Sequence, residues 1–452
     1  MGGAILNWLR AGWDAVRTSL WILPAIMFVA GIAMAVAALE LSLGWAEGRR
    51  WAHWISSGSG DDARNLISTL LTAVVTMASL AFSVTVVALS LAANTFGSRL
   101  IRIFRSDRRT QIVLGMFVMT IVYLLLVLRT LRGEAPASGV PEVAVALGTL
   151  LALVSVLALL AFMQNVASLI TAGEVVRRAR REFDSAIGEL PLAPDVDSPT
   201  AEATTDARPA GTKIRLPREG YVQSVEFTKI LQWAERNDAV VRLNFRPGDF
   251  VVEGDHKVEV IPPPPDPERA RKAIGRFIAS GPHRTPTQDL EFAIRQLVEV
   301  AVRALSPGIN DPFTAMAVID RLRGGLARLA TRRLPPATLE DSAGTTRLVR
   351  NVTTYAGAVD AAFNQIRQAG SAKPAILIHL LKALEDLGEH ARTAEQREAF
   401  QRHALLAHSA ARRDVAEPLD QRDVEIAYDR AVRALGANEG AEPAVSAVGG
   451  SS

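Results

Sequence analysis

The chain has no cysteine, which excludes a disulfide framework, thiolate catalysis and Cys-ligated zinc or iron–sulfur sites. An excess of one charge is also missing: 50 Lys and Arg face 47 Asp and Glu, a net +3. A sequence-wide attraction to nucleic acid therefore has no basis, and nucleic acid is not an expected partner. Catalytic signatures are absent as well. There is no GxGxxG after a strand, no Walker A loop, no GxSxG elbow and no pair of carboxylates in an apolar setting. The seven His are scattered, and His403 and His408, five apart, do not share a helix face as an i, i+4 metal pair would. No cofactor and no metal are implied, and the chain is not expected to be an enzyme.

What is present is apolar length. Crossing about 30 Å of hydrocarbon as a helix takes roughly 20 apolar residues, because no backbone group can go unpaired there. Four segments qualify: Ser19 to Leu41, Leu66 to Phe96, Thr110 to Leu128, and Val143 to Gly173. Only the first contains a carboxylate, Glu40, near its end. Arg10 and Arg17 ahead of an apolar run with Ala35-Val36-Ala37 imitate a secretory leader, but Ser19 to Leu39 is longer than the apolar core of one, so an uncleaved anchor is expected. Spans two and four run uncharged for about 31 residues, roughly 46 Å as helix, so part of each is expected to project into the cytosol.

Eleven arginines lie on one side of these spans: Arg10, Arg17, Arg99, Arg102, Arg105, Arg108, Arg109, Arg177, Arg178, Arg180 and Arg181. Five lie on the other: Arg49, Arg50, Arg64, Arg129 and Arg132. The richer side belongs in the cytoplasm, which puts both termini there and makes Arg99, Arg102, Arg105, Arg108 and Arg109 a basic loop at the inner-membrane surface. Trp8, Trp13, Trp21, Trp45, Trp51 and Trp54 flank span one as an interfacial belt would.

Span two carries a line of small polar residues: Thr69, Thr72, Thr76, Ser79, Ser83, Ser90 and Asn94. Their spacing of three, four or seven places them on one face of a helix. Two readings compete. Small polar residues let membrane helices approach and hydrogen-bond; alternatively, several copies of span two surround a wet path. No Asp, Glu, Lys, Arg or His sits mid-membrane in any span, which argues against proton relays, voltage sensors and ion-coupled transport but not against a passive conduit.

The expected layout is a cytoplasmic segment 1–18, a four-helix membrane domain 19–181, a Pro- and Ala-rich linker 191–211, a small β-rich module 212–262, a cytoplasmic helical domain 266–435 and a disordered tail 436–452. In the module, GYVQSVEF, AVVRLNF, FVVEGD and KVEVI read as strands, and TKILQWAERND reads as a helix with Ile230, Leu231 and Trp233 inward. RPGDFVVEGD resembles the turn-strand-turn of biotinyl and lipoyl carriers, but no modifiable Lys is matched, so a structural barrel-like unit is expected. Seven amphipathic helices follow: 266–279, 287–305, 312–330, 354–368, 374–390, 394–413 and 420–435. In ALSPGINDPFTA (304–315), Asp311 caps a helix that begins at Pro312. The alternative use of Asn310 and Asp311 is a ligand or partner site, with the helix N-terminus suited to a small anion.

That hairpin, with FGSRLIRIFRSDRRTQIVLGMF (96–117), GYVQSVEF, RPGDFVVEGD and AFNQIRQAG (362–370), resembles the bacterial predicted-membrane-protein family DUF2254. The resemblance implies a multi-pass inner-membrane protein with a cytoplasmic C-terminal portion and no assigned activity. It also implies His near the end of span four, where this chain has Gln164 and Asn165. The fold class expected is mainly α: a polytopic membrane protein with four transmembrane helices, then a small β module and a cytoplasmic helical domain. The expected partners are the bilayer, further copies of the chain, and ions or a small anion. The function expected is a homo-oligomeric conduit lined by span two, or else a non-conducting scaffold or sensor.

Overall fold

The computed structural model describes residues 22–44, 60–96, 107–131, 141–169, 172–193, 211–216 and 218–436. The expectations for the N-terminal segment, the tryptophans around span one, Arg99, Arg102, Arg105, most of the linker and the tail beyond Gly436 fall outside these residues. The chain divides into two compact units, Met1–Val175 and Val176–Ser452.

The first unit contains four helices long and apolar enough to cross a membrane: α1 (Ile22–Gly44), α2 (Gly60–Phe96), α3 (Arg108–Thr130) and α4 (Glu142–Leu169). The chain is a polytopic membrane protein. α2 starts six residues ahead of the expected span, because Asp61 and Asp62 occupy its first turn, where carboxylates complement the helix dipole. At 37 residues it is about 55 Å long. α3 is the central helix, packed against α1, α2 and α4. Half of its apolar window is buried, against 17% of that of α2.

Close approach inside this bundle depends on glycine. A Cβ at Gly31 of α1 would stand 2.7 Å from the Met119 carbonyl oxygen of α3, and one at Gly115 would meet Met27. Polar ties then fix α4 to α3. The Tyr123 hydroxyl donates to the Ala144 carbonyl at 2.8 Å, and the buried Thr120 and Ser155 hydroxyls lie 3.3 Å apart.

α5 (Ala172–Gly188) contains the boundary between the units. In its part belonging to the second unit, Val176, Ala179, Phe183 and Ile187 are buried at helical spacing. The segment after it runs along the end of α9 (Pro312–Leu329): the Ala193 amide donates to the Thr331 carbonyl, and Arg333 to that of Pro191, both at 2.9 Å.

The β region forms two sheets rather than a barrel. One has the order β1-β5-β3-β8-β7 and the other β4-β2-β6, from β1 (Thr212–Ile214), β2 (Gly220–Val225), β3 (Val240–Leu243), β4 (Phe250–Val251), β5 (Val258–Ile261), β6 (Ile278–Gly281), β7 (Thr338–Glu340) and β8 (Thr346–Arg350). β3 and β8 pair in parallel; every other pairing is antiparallel. Both expected turns are present, with Gly248 at φ +95° in RPGD and Gly254 at φ +89° in EGD, a region glycine enters without steric cost. On α6 (Phe227–Arg236), Ile230 and Ala234 are buried, while Leu231 and Trp233 lie half-buried at the edge of this core.

The remaining helices match the expected pattern closely: α8 (Leu290–Ala304), α9, α10 (Tyr355–Ala369), α11 (Pro374–Gly388), α12 (Ala394–Asp414) and α13 (Pro418–Gly436). The exception is the first. α7 (Pro267–Gly275) ends four residues earlier than expected, because Ile278–Gly281 leaves the helix to pair with β2. α11 is the innermost of the six, with Ile376, Leu377, Leu380, Leu381, Leu384 and Leu387 fully buried.

Adjacent glycines in α9 give a test of this packing. A Cβ at Gly325 would stand 2.0 Å from the ring of Phe183, itself fully buried, whereas nothing lies within 4 Å of one at Gly324. Gly325→Ala is expected to cost about 1–3 kcal/mol by overpacking, and Gly324→Ala to gain up to about 1 kcal/mol in helix propensity. Thermal unfolding of the two variants should move in opposite directions from the parent.

Candidate functional site

The hydroxyl line of α2 does not face the rest of its bundle. Ala63, Ile67, Val74, Ala78 and Ala81 are the buried apolar side chains of the helix among its described residues. At about 100° per residue, the line of Thr69, Thr72, Thr76, Ser79, Ser83 and Ser90 falls roughly half a turn away from them. All six of these residues are exposed. Thr85, off the line, turns toward the bundle and is half-buried. The side chain of Asn94 lies outside the described residues.

The threonines and serines on this face differ in one respect. The hydroxyls of Thr69, Thr72 and Thr76 donate to the carbonyls of Asn65, Ser68 and Thr72 at 2.8, 2.9 and 2.9 Å. Those of Ser79, Ser83 and Ser90 make no hydrogen bond among the described residues. Hydroxyl contacts between helices of the first unit are instead made by Thr120, Tyr123 and Ser155, which the spacing argument did not single out.

Of the five loop arginines, Arg108 and Arg109 are described. Both are exposed in the first turn of α3, immediately after its cap. That cap is Asp107, 7% exposed, whose carboxylate accepts from the Thr110 amide at 3.1 Å, the Thr110 hydroxyl at 2.8 Å and the Asn165 side-chain amide at 2.9 Å. Asn165 thus ties the end of α4 to the start of α3. The pattern Asp-x-x-Thr was a legible cap signature; its partner 58 residues away was not.

Asn310 and Asp311 lie together, each with a structural partner. Asn310 sits at φ +48° and accepts from the Lys373 ammonium at the start of α11. The Asp311 carboxylate accepts from the Thr314 amide at 3.0 Å and from its hydroxyl, and these bonds hold its pKa below the usual carboxylate value. It occupies the helix-end amide that an external anion would use.

Around the RPGD turn, the second unit gathers charges that the sequence left apart. Glu291, 4% exposed, pairs with Arg246 at 2.5 Å and Arg295 at 3.5 Å, while Arg246 also reaches the Thr353 hydroxyl at 3.2 Å. Asp289, 5% exposed, is gripped by Arg284 through two bonds of 2.5 and 3.0 Å and caps α8 through the Phe292 amide. Every carboxylate in the cluster has a guanidinium beside it, as burial of charge requires.

The histidines stay apart. His408 stacks on Tyr428, and His403, 1% exposed, places Nε2 2.8 Å from Asp360. Among the described residues no three His, Asp or Glu are grouped to hold a metal. Burial holds the His403 pKa below its ordinary 6.5, with Arg402 and Arg367 adding to that effect and Asp360 opposing it. A folded-state value below the unfolded one means that the unfolded chain takes the proton first, so stability present above pH 6.5 is lost as the pH falls through the folded value. Asp360 also lies below its ordinary 3.8, and its contribution changes only in stronger acid. The melting temperature is therefore expected to fall as the pH is lowered from about 7 to 5.5, with a shallower slope in His403→Gln. An unchanged slope in that variant would refute the assignment.

Residues 17–386 match the model of a family described as predicted membrane protein (DUF2254). Uncharacterised proteins of Mycobacterium tuberculosis and Mycobacterium bovis are each 29% identical to this chain over 441 residues, covering 96% of it and 84% of their own length. No solved structure matches the chain. The family match takes in both compact units, from ahead of α1 into α11, and includes the α2 face, the α3 cap and the RPGD cluster. With most of its length covered, the chain belongs to the DUF2254 family of predicted membrane proteins.

Proposed function

We propose that this membrane protein is a homo-oligomeric conduit of the bacterial inner membrane, in which copies of α2 turn their hydroxyl faces toward a shared path and the second unit assembles or gates them. One observation carries the reading: the hydroxyl face points away from the chain's own bundle, and three of its serines have no hydrogen-bond partner among the described residues. In hydrocarbon an unpaired hydroxyl costs roughly 1–3 kcal/mol, so a neighbouring copy or water suits that face better than lipid. The lack of mid-membrane charge fits passive passage of ions or a small anion. The eleven-to-five arginine balance supports cytoplasmic termini.

The second reading is a non-conducting scaffold or sensor whose cytoplasmic portion binds a partner or small ligand. What favours it is that Thr69, Thr72 and Thr76 are satisfied within their own helix and so tolerate lipid.

Planar-bilayer recording of the purified protein separates the two. A conduit conducts and loses flux in Thr76→Leu and Ser83→Leu; a scaffold tolerates both. In a chain without cysteine, Ser83→Cys should also form oxidative dimers in native membranes. Electrical silence under voltage, tension and pH changes, together with a monomeric particle, would remove the conduit. For orientation, Arg108→Cys and Arg181→Cys should resist thiol reagents applied outside intact cells; labelling there would reverse the assigned sidedness.

A further inference from the structure

α3 begins where α4 ends, and an open cleft of about 580 Å³ lies between them, lined by Arg109, Ile112, Val113, Ala161, Phe162, Gln164 and Asn165. The lining is graded along the helix axes. Arg109, Gln164 and Asn165 form one rim. Ile112 and Val113 on α3, and Ala161 and Phe162 on α4, lie about one turn, roughly 5 Å, further into the span. The two helices run antiparallel, so on both the apolar residues are the deeper ones.

The charges at the rim are unequal in their commitments. Asp107, the neighbouring carboxylate, is buried against Thr110 and the Asn165 amide. Arg109 is exposed and makes no ion pair among the described residues, and the exposed Gln164 amide stands on the facing helix. An exposed guanidinium and an amide above an apolar floor, at the end of two membrane spans, match a ligand with an anionic head and a hydrocarbon tail. A free anion would leave the floor wet, and a zwitterionic headgroup would bring a cation of Arg109's own sign to the rim beside its phosphate.

From this geometry we infer that the cleft binds one anionic phospholipid, with its phosphate at Arg109 and Gln164 and the start of an acyl chain against Ile112, Val113, Ala161 and Phe162. Asn165 is a positioning residue: held by Asp107, it fixes the end of α4 relative to α3. The site is independent of whether α2 lines a path.

Native mass spectrometry of the full chain released from detergent, after incubation with phosphatidylglycerol or phosphatidylcholine, tests it. Phosphatidylglycerol should be retained preferentially. Arg109→Gln should cut that retention about tenfold, the weight of one charge-assisted contact, while the neighbouring exposed Arg108→Gln leaves it unchanged. Ala161→Trp, which fills the apolar floor and spares the rim, should also expel the lipid. Equal retention of the two lipids, an equal loss in Arg108→Gln, or displacement by inorganic phosphate at millimolar concentration would overturn the inference. The first outcome would reduce the cleft to unselective lipid contact, the second to general surface attraction, and the third to a simple anion site.

Discussion

Hydrocarbon offers no hydrogen-bond partner, and the first unit is organised by that constraint. Each span must satisfy its own backbone, which makes it a helix. With lipid as apolar as any side chain, the helices cannot be driven together by burial alone. They are held by close approach at Gly31 and Gly115 and by the few hydroxyls that find partners across the bundle, at Tyr123, Thr120 and Ser155. The same constraint gives the α2 face its meaning: a hydroxyl that is unremarked at an aqueous surface becomes a demand for a partner in a bilayer.

The second unit, by contrast, uses charge inside. Glu291 and Asp289 are withdrawn from water at the start of α8, each against arginine from the β region. Arg246 joins the RPGD turn to Glu291 of α8 and to Thr353 just ahead of α10. One guanidinium thus couples the turn to two helix starts. Removing Arg284 would leave the buried Asp289 carboxylate without an arginine beside it, at a cost of roughly 3–5 kcal/mol.

Much of this architecture is written locally. The spans follow from uninterrupted apolar runs, and six of the seven helices expected beyond residue 266 from apolar spacing with Pro, Thr or Asp at their starts. Elements that depend on distant pairing were not legible. β6 was absorbed into a helix because Phe277, Ile278 and Ala279 continue an apolar pattern that only its pairing with β2 overrides. β7 and β8 lack an alternating apolar pattern, TLE and TRLVR, and are strands only through their pairing with each other and of β8 with β3. The period of the α2 hydroxyls was readable, but not the direction in which they face, since small polar residues serve a packed seam and a wet surface alike. The cleft was hidden for a simpler reason: Arg109 and Gln164 come from separate helices, and nothing in their local context links them.

The parallel pairing of β3 with β8 has a consequence for how this protein can be divided. β3 is an interior strand only because residues 346–350 return to it after α8 and α9 have intervened. Excising the 212–262 segment would expose the unpaired edge of Val241 and Leu243, a template for sticking to other chains. During synthesis that edge stays open until about a hundred further residues have emerged, which makes the ribosome-bound intermediate, rather than the finished protein, the species most exposed to aggregation.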